Sequence, residues 1–170
     1  MNFKDLCEKR YSVRKYSDET VSDESLNYIL ECVRLAPSGV NFQPWKFVVA
    51  KSKEAREKIC KSYKRDWLQT APVIVIAYKN TDEQWVRKYD GKEIGDVDVA
   101  IAVEHLCLAA AEKDLGTCWI CNFDPAQLNE DFPVESNLVP VALIPVGHIA
   151  ADCPENPKKR KSLDEITETI

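Results

Sequence analysis

The chain has 170 residues, of which 45% are hydrophobic and 30% charged, and it carries a net charge of −5. That length suits one domain burying roughly 70% of its unfolded surface, and the composition excludes wholesale disorder. The acidic balance argues against a nucleic-acid-binding surface, which needs an excess of Lys and Arg.

Met1 to Asp5 include an acid and no apolar stretch, so no secretory leader is expected. The longest apolar runs, such as Pro72 to Tyr78, are too short to cross a bilayer as a helix, and no membrane association is expected. Seven cysteines, scattered without a framework, fit a reducing compartment, and the cytoplasm is the expected location.

Asn2 caps a short first helix whose Phe3, Leu6 and Cys7 share a face. A second helix follows Ser22, with Leu26, Ile29, Leu30 and Val33 at helical spacing, and stops before Pro37. Trp45 to Ala50 reads as a strand. Ser52 to about Gln69 reads as one charged helix with Ala55, Ile59 and Tyr63 turned inward. Pro72 to Tyr78 is apolar on both faces, which places it at the centre of a covered sheet.

Lys79 to Gly95 is polar and without period, either a loop or a loose helix. Asp96 to Leu115 is long, Ala-rich and apolar around much of its girth, so it must be buried in the domain or at a subunit interface. Gly116 is expected to end it. Thr117 to Asn122 reads as extended, and Asp124-Pro125 starts a small helix. Val139 to Val146 is a strand whose two prolines argue for an edge or a bulge. From His148 onward the chain is a polar tail. The sum is a single α+β domain over residues 1–170, without repeats.

Four segments carry candidate chemistry. In an extended Arg10-Tyr11-Ser12-Val13-Arg14, alternate residues face one way, and two guanidiniums flanking a hydroxyl suit a phosphate. Taken alone, the segment reads first as an exposed basic linker. The Ala36–Trp45 connection holds Ser38, Asn41 and Gln43, more hydrogen-bonding side chains than a turn needs. Gly116 to Phe123 contains Cys118 and Cys121 at Cys-x-x-Cys spacing. That pair follows a helix C-terminus, not an N-terminus, and has neither a second pair nor His105 or His148 at zinc-finger spacing. No metal site is expected. Finally, Pro157-Lys158-Lys159-Arg160-Lys161 is either a solvated charge run or a further set of cations for a phosphate.

In this order and spacing, the four segments resemble the FMN-dependent nitroreductase family across nearly the whole chain. The resemblance rests on Arg-x-Ser-x-Arg, Pro-Ser-x-x-Asn-x-Gln-Pro-Trp, Gly-Thr-Cys-Trp-Ile and the closing Lys-x-Arg before Leu163-Asp164-Glu165-Ile166. It implies a mixed sheet flanked by helices and a homodimer built on the long central helix, with residues 148–170 packing on the partner subunit. It also implies that Arg10, Ser12 and Arg14 hold the flavin phosphate, ribityl chain and pyrimidine edge, with Lys158 and Arg160 closing on the phosphate. Pro37, Ser38, Gly39, Asn41 and Gln43 would reach a flavin bound mainly by the other subunit. Trp119, Ile120 and Cys121 would lie along the ring, with backbone N–H groups facing its N5 and O4. The chain departs from the family where glycine usually follows Trp-Ile: here it is Cys121. It also lacks the larger lid-forming insertions.

The implied activity passes two electrons from NADH or NADPH through FMN to a small acceptor such as a nitroaromatic or quinone, with no catalytic side chain. Two alternatives stay open: reductive dehalogenation or activated-alkene reduction on the same flavin, and a non-enzymatic FMN-binding redox sensor. A thiol oxidoreductase using Cys118 and Cys121 stands behind both.

Overall fold

The computed structural model describes residues 2–155 and 157–170. Polar caps start the helices. The Asn2 side chain accepts from the Asp5 N–H at 3.0 Å and opens α1 (Phe3–Lys9), with Asp5 returning the bond to the Asn2 N–H. Ser22 caps α2 (Asp23–Arg34), Ser52 caps α3 (Lys53–Ser62), and Asp124 caps α5 (Pro125–Asp131), each accepting from backbone N–H groups of the first turn. The remaining helices are α4 (Gly95–Glu112) and α6 (Leu163–Ile166).

Strands β1 (Trp45–Ala50), β2 (Val73–Asn80), β3 (Leu115–Thr117) and β4 (Leu138–His148) form an antiparallel sheet in the order β1-β2-β4-β3. Alternation along β2 sends Val73, Val75 and Ala77 to one face, against α2 and α4. Ile74, Ile76 and Tyr78 go to the other, against α3, α5 and the Val13–Tyr16 stretch. Each of these six residues is at most 2% exposed, as a central strand covered on both faces requires. Full burial of one such Ile or Val is worth about 1.5–3 kcal/mol.

Several boundaries differ from the sequence expectations. Helix α3 stops at Ser62, because the Ser62 carbonyl accepts from the Asp124 N–H at 2.7 Å; a separate 3₁₀ turn, Asp66–Thr70, follows. Helix α4 ends at Glu112, and Asp114 takes the left-handed position (φ 59°). Gly116 therefore does not end α4. It lies in β3, where an added Cβ would come within 2.7 Å of Val13 Cγ2. Strand β4 is an inner strand, not an edge. Its prolines are accommodated where Pro140 meets the register slip at Ala77/Tyr78, and where Pro145 falls just beyond the last β3 partner, Val146. His148 belongs to β4, and Ile149 and Ala150 still pair with Tyr16 and Lys15, so the tail starts later than expected.

Helix α1 buries no side chain, and Phe3 is largely exposed. Residues 81–94 form a loop with a single bridge, Val86 to Glu93. Leu163 and Ile166 on α6 stand in solvent. On α4, Val99, Ala102, Val103 and Leu106 enter the core, while Ile101 and Leu108 stay partly open. With Phe3, Cys32 and Ala109 these two line a mainly apolar groove of about 460 Å³, edged by Glu104, His105 and Glu112. No helix among the described residues is long and apolar enough to cross a membrane.

Candidate functional site

Arg10 leaves the helix at the C-cap of α1, and the following residues run extended beside β3. Val13 is the anchor: it is buried, and its N–H donates to the Thr117 carbonyl at 2.9 Å. With Val13 held inward, Arg10, Ser12 and Arg14 line one cleft with Tyr11. From the far end of the sequence, Pro157, Lys158, Lys159 and Arg160 close the same cleft, of about 190 Å³. Among the described residues, five cationic ones and no carboxylate line it. None of the five makes an ion pair among the described residues. Among the described residues, the Arg14 and Arg160 guanidiniums donate to nearby backbone carbonyls, of Ser12 (3.3 Å) and Lys159 (3.1 Å).

Lys158 decides what the cleft suits. Its Nζ is shut off from solvent and has no hydrogen-bond partner among the described residues. An enclosed, unpaired ammonium favours an anion beside it. An anion with several oxygens, such as a terminal phosphate, would meet Lys158 and the guanidinium forks together.

The Ser38–Gln43 turn is a separate construction. Val40, Asn41 and Gln43 all have left-handed backbones, with φ of 53°, 58° and 53°. For a β-branched valine that conformation is strained, at about 1–3 kcal/mol. Ser38 Oγ accepts from the Gln43 N–H at 2.9 Å, and Asp98 accepts from the Gly39 N–H at 2.8 Å. Asn41, Phe42 and Gln43 are exposed. None of Pro37, Ser38, Gly39, Asn41 and Gln43 lines the cationic cleft.

The third stretch adjoins the cleft through the pairing of Ser12 with Thr117. Ile120 is buried, and its N–H donates to the Leu143 carbonyl at 3.0 Å, so that N–H is committed to the sheet. Of the two N–H groups expected to face a flavin, the Cys121 N–H is the one left without a backbone partner among the described residues. Trp119 is half-buried, and its Nε1 is enclosed without a partner.

Both cysteines of the Cys-x-x-Cys pair are free thiols, Cys118 buried and Cys121 exposed. Burial pushes the Cys118 thiol up from its usual range, opposed by Arg14, Ser12 and Arg10. Burial raises Cys107 to about 11. Reactive dithiols need the opposite shift. No cluster of metal-ligating side chains occurs among the described residues.

Sequence reasoning missed Asp98 and Trp85, which meet Gly39 beneath the Ser38–Gln43 turn. An acid between Val97 and Val99 on an apolar helix was the available signal.

A family model described as the nitroreductase family matches residues 7–65 and 57–148. The chain belongs to the nitroreductase family. A crystal structure of a nitroreductase family protein from Clostridium difficile 630 superposes with a TM-score of 0.91. It is 35% identical, with 99% of this chain and 98% of that one covered. An FMN reductase [NAD(P)H] from Bacillus subtilis is 29% identical over 171 residues, covering 91% of this chain and 68% of the relative. An iodotyrosine deiodinase from Thermotoga neapolitana is 24% identical over 188 residues, covering 95% and 94%.

Proposed function

We propose that this nitroreductase-family chain is an NAD(P)H-dependent oxidoreductase that uses FMN to pass two electrons to a small acceptor, a nitroaromatic or a quinone. The observation that carries the proposal is the enclosed, unpartnered Lys158 ammonium in a cleft lined by Arg10, Arg14, Lys159 and Arg160 without a carboxylate. Those residues fit the FMN phosphate. No Gly-x-Gly-x-x-Gly loop for a pyrophosphate is present in the sequence, which favours FMN over FAD.

Arg10, Lys158 and Arg160 would hold the phosphate, Ser12 the ribityl chain, and Arg14 the pyrimidine edge, where its charge favours electron uptake. Trp119, Ile120 and Cys121 would border the ring, with the Cys121 N–H as the available donor. Pro37, Ser38, Gly39, Asn41 and Gln43 would come from the other subunit of a homodimer. Bound FMN supplies the two-electron chemistry itself. The protein's part is to bind it, orient it and leave one ring face open to nicotinamide and acceptor in turn. No nucleophile or general base is required, and Cys118, with its raised pKa, is not used as one.

The homodimer reading is supported by the apolar groove on α4 and by Leu163 and Ile166 in solvent, all of which a second copy would cover. The seven free thiols suit a reducing compartment, and we place the protein in the cytoplasm. The deiodinase relative supports a second reading, in which the same flavin site removes halide from a halogenated phenol reductively.

The test is the visible spectrum of the purified protein, identification of the released flavin, and NADH and NADPH oxidation against nitroaromatic, quinone and halogenated phenol acceptors. A yellow protein releasing FMN and turning over a nitroaromatic or quinone supports the proposal. A colourless protein that also fails to take up added FMN contradicts it.

A further inference from the structure

We infer that Asp98 is the positioning residue of the Ser38–Gln43 turn. Its buried carboxylate, reaching from the start of α4, fixes Gly39 and with it the left-handed residues that follow. The role in flavin binding rests on the reading above, in which this turn contacts the flavin.

Asp98 is 2% exposed, among Val99, Ala102 and Val103 at 0%. One oxygen, Oδ1, accepts from the Gly39 N–H at 2.8 Å, and Oδ2 is buried without a partner among the described residues. No Lys or Arg pairs with it among those residues; the ion pair at this end of α4 joins Lys79 to the neighbouring Asp96 at 2.8 Å. A carboxylate buried without a cation is destabilising by itself. A purely apolar helix face would place Ala or Leu there, so the acid calls for an explanation in what it holds.

It ties a strained, solvent-facing turn to the buried helix beneath it. Val40, Asn41 and Gln43 are left-handed, and the turn's own backbone–backbone bonds are Asn41 N–H to Ser38 O (3.0 Å) and Phe42 N–H to Gly39 O (3.1 Å). Ser38 Oγ closes the turn on the Gln43 N–H at 2.9 Å, and the Gln43 side-chain amide lies 3.4 Å from Asn41. Gly39 is gripped from two other elements. A Cβ there would lie 3.2 Å from Trp85 Cβ in the 81–94 loop and 3.6 Å from Asp98 Oδ2. The glycine thus sits between Trp85 and Asp98, close enough that its backbone N–H meets the carboxylate. A charge-assisted bond of this kind is among the stronger ones available to a backbone amide. Helix α4 is also the proposed dimer seam, so the tether couples the turn's placement to that helix.

The test compares parent, Asp98→Asn and Asp98→Leu as full-length chains. Amide hydrogen exchange by NMR is read at Gly39 and Gln43, and FMN affinity by fluorescence titration. Asparagine keeps an acceptor oxygen. Leucine keeps the approximate shape, deletes the acceptor and removes the buried charge; Asp98→Ala is read in the same way if leucine does not fold. In the leucine variant, Gly39 exchange should quicken roughly tenfold or more, and FMN affinity should fall by a similar factor. The asparagine variant should stay within about threefold of the parent on both measures. Unchanged Gly39 exchange in the leucine variant overturns the inference, and so does an asparagine variant as fast as leucine. Faster exchange with unaltered FMN affinity leaves the tether standing and instead overturns the reading that this turn touches the flavin.

Discussion

The cationic cleft and the Ser38–Gln43 turn belong to one proposed site, yet they are built in opposite ways. The cleft is closed from both ends of the same chain: Arg10–Arg14 leave α1, Pro157–Arg160 return from the tail, and Lys158 Nζ is buried between them. The turn is strained and open, with Val40, Asn41, Phe42 and Gln43 toward solvent and its fixed points, Asp98 and Trp85, beneath. One half offers concentrated charge that needs an anion. The other offers preset geometry without a counterpart in its own cleft. Binding strength should therefore come mainly from the cleft, and placement of the ring mainly from the turn.

The largest effects should come from the cleft. Truncating one partner of a desolvated charge pair costs about 2–5 kcal/mol, so Lys158→Ala, Arg10→Ala and Arg160→Ala should each weaken FMN by ~30-fold or more in fluorescence titrations. Because Arg10 and Arg160 would share one phosphate, the double mutant should fall short of or exceed the sum of the singles. Strict additivity would show that the tail and the Arg10 segment serve different groups. A smaller loss is expected where the halves meet across subunits. A charge in the α4 groove, Leu108→Glu, should convert a dimer to a monomer in light scattering and weaken FMN by roughly tenfold. A monomeric variant with parental FMN affinity would confine the site to one chain.

The turn should respond more weakly. Ser38→Ala and Asn41→Ala each remove a neutral hydrogen-bonding group worth about 0.5–1.5 kcal/mol, so FMN affinity should drop by roughly two- to tenfold. A loss as large as that of Lys158→Ala would reverse the comparison. Smallest of all, Cys121→Ser and Cys118→Ala should leave NADH-driven turnover within about threefold. Loss of turnover with FMN still bound would revive a thiol mechanism.

What the sequence disclosed follows the same division between local and distant causes. The helix starts at Asn2, Ser22 and Asp124 were legible because each bonds within its own first turn. Strand β2 was legible because apolar residues on both faces require cover. The end of α3 was not, since it depends on the Asp124 N–H at the start of α5, distant in sequence, reaching the Ser62 carbonyl. Gly116 reads as a helix stop in the sequence because its contact with Val13 is tertiary. In the cleft, Arg10, Ser12, Arg14, Lys158 and Arg160 were nominated from motif and resemblance, and they meet in space. The Ile120 N–H was nominated too, but Leu143 holds it. Burial of Lys158 Nζ and the Asp98 tether could not be read, because both arise only when distant elements pack.

The central claim is that the cleft recognises the terminal phosphate of a flavin. Parallel titrations of the parent chain with FMN and with riboflavin, which differ only in that phosphate, test it most directly. FMN should bind ~30-fold or more tightly than riboflavin, and Lys158→Ala should remove most of the difference. Equal affinities for the two flavins would contradict the account.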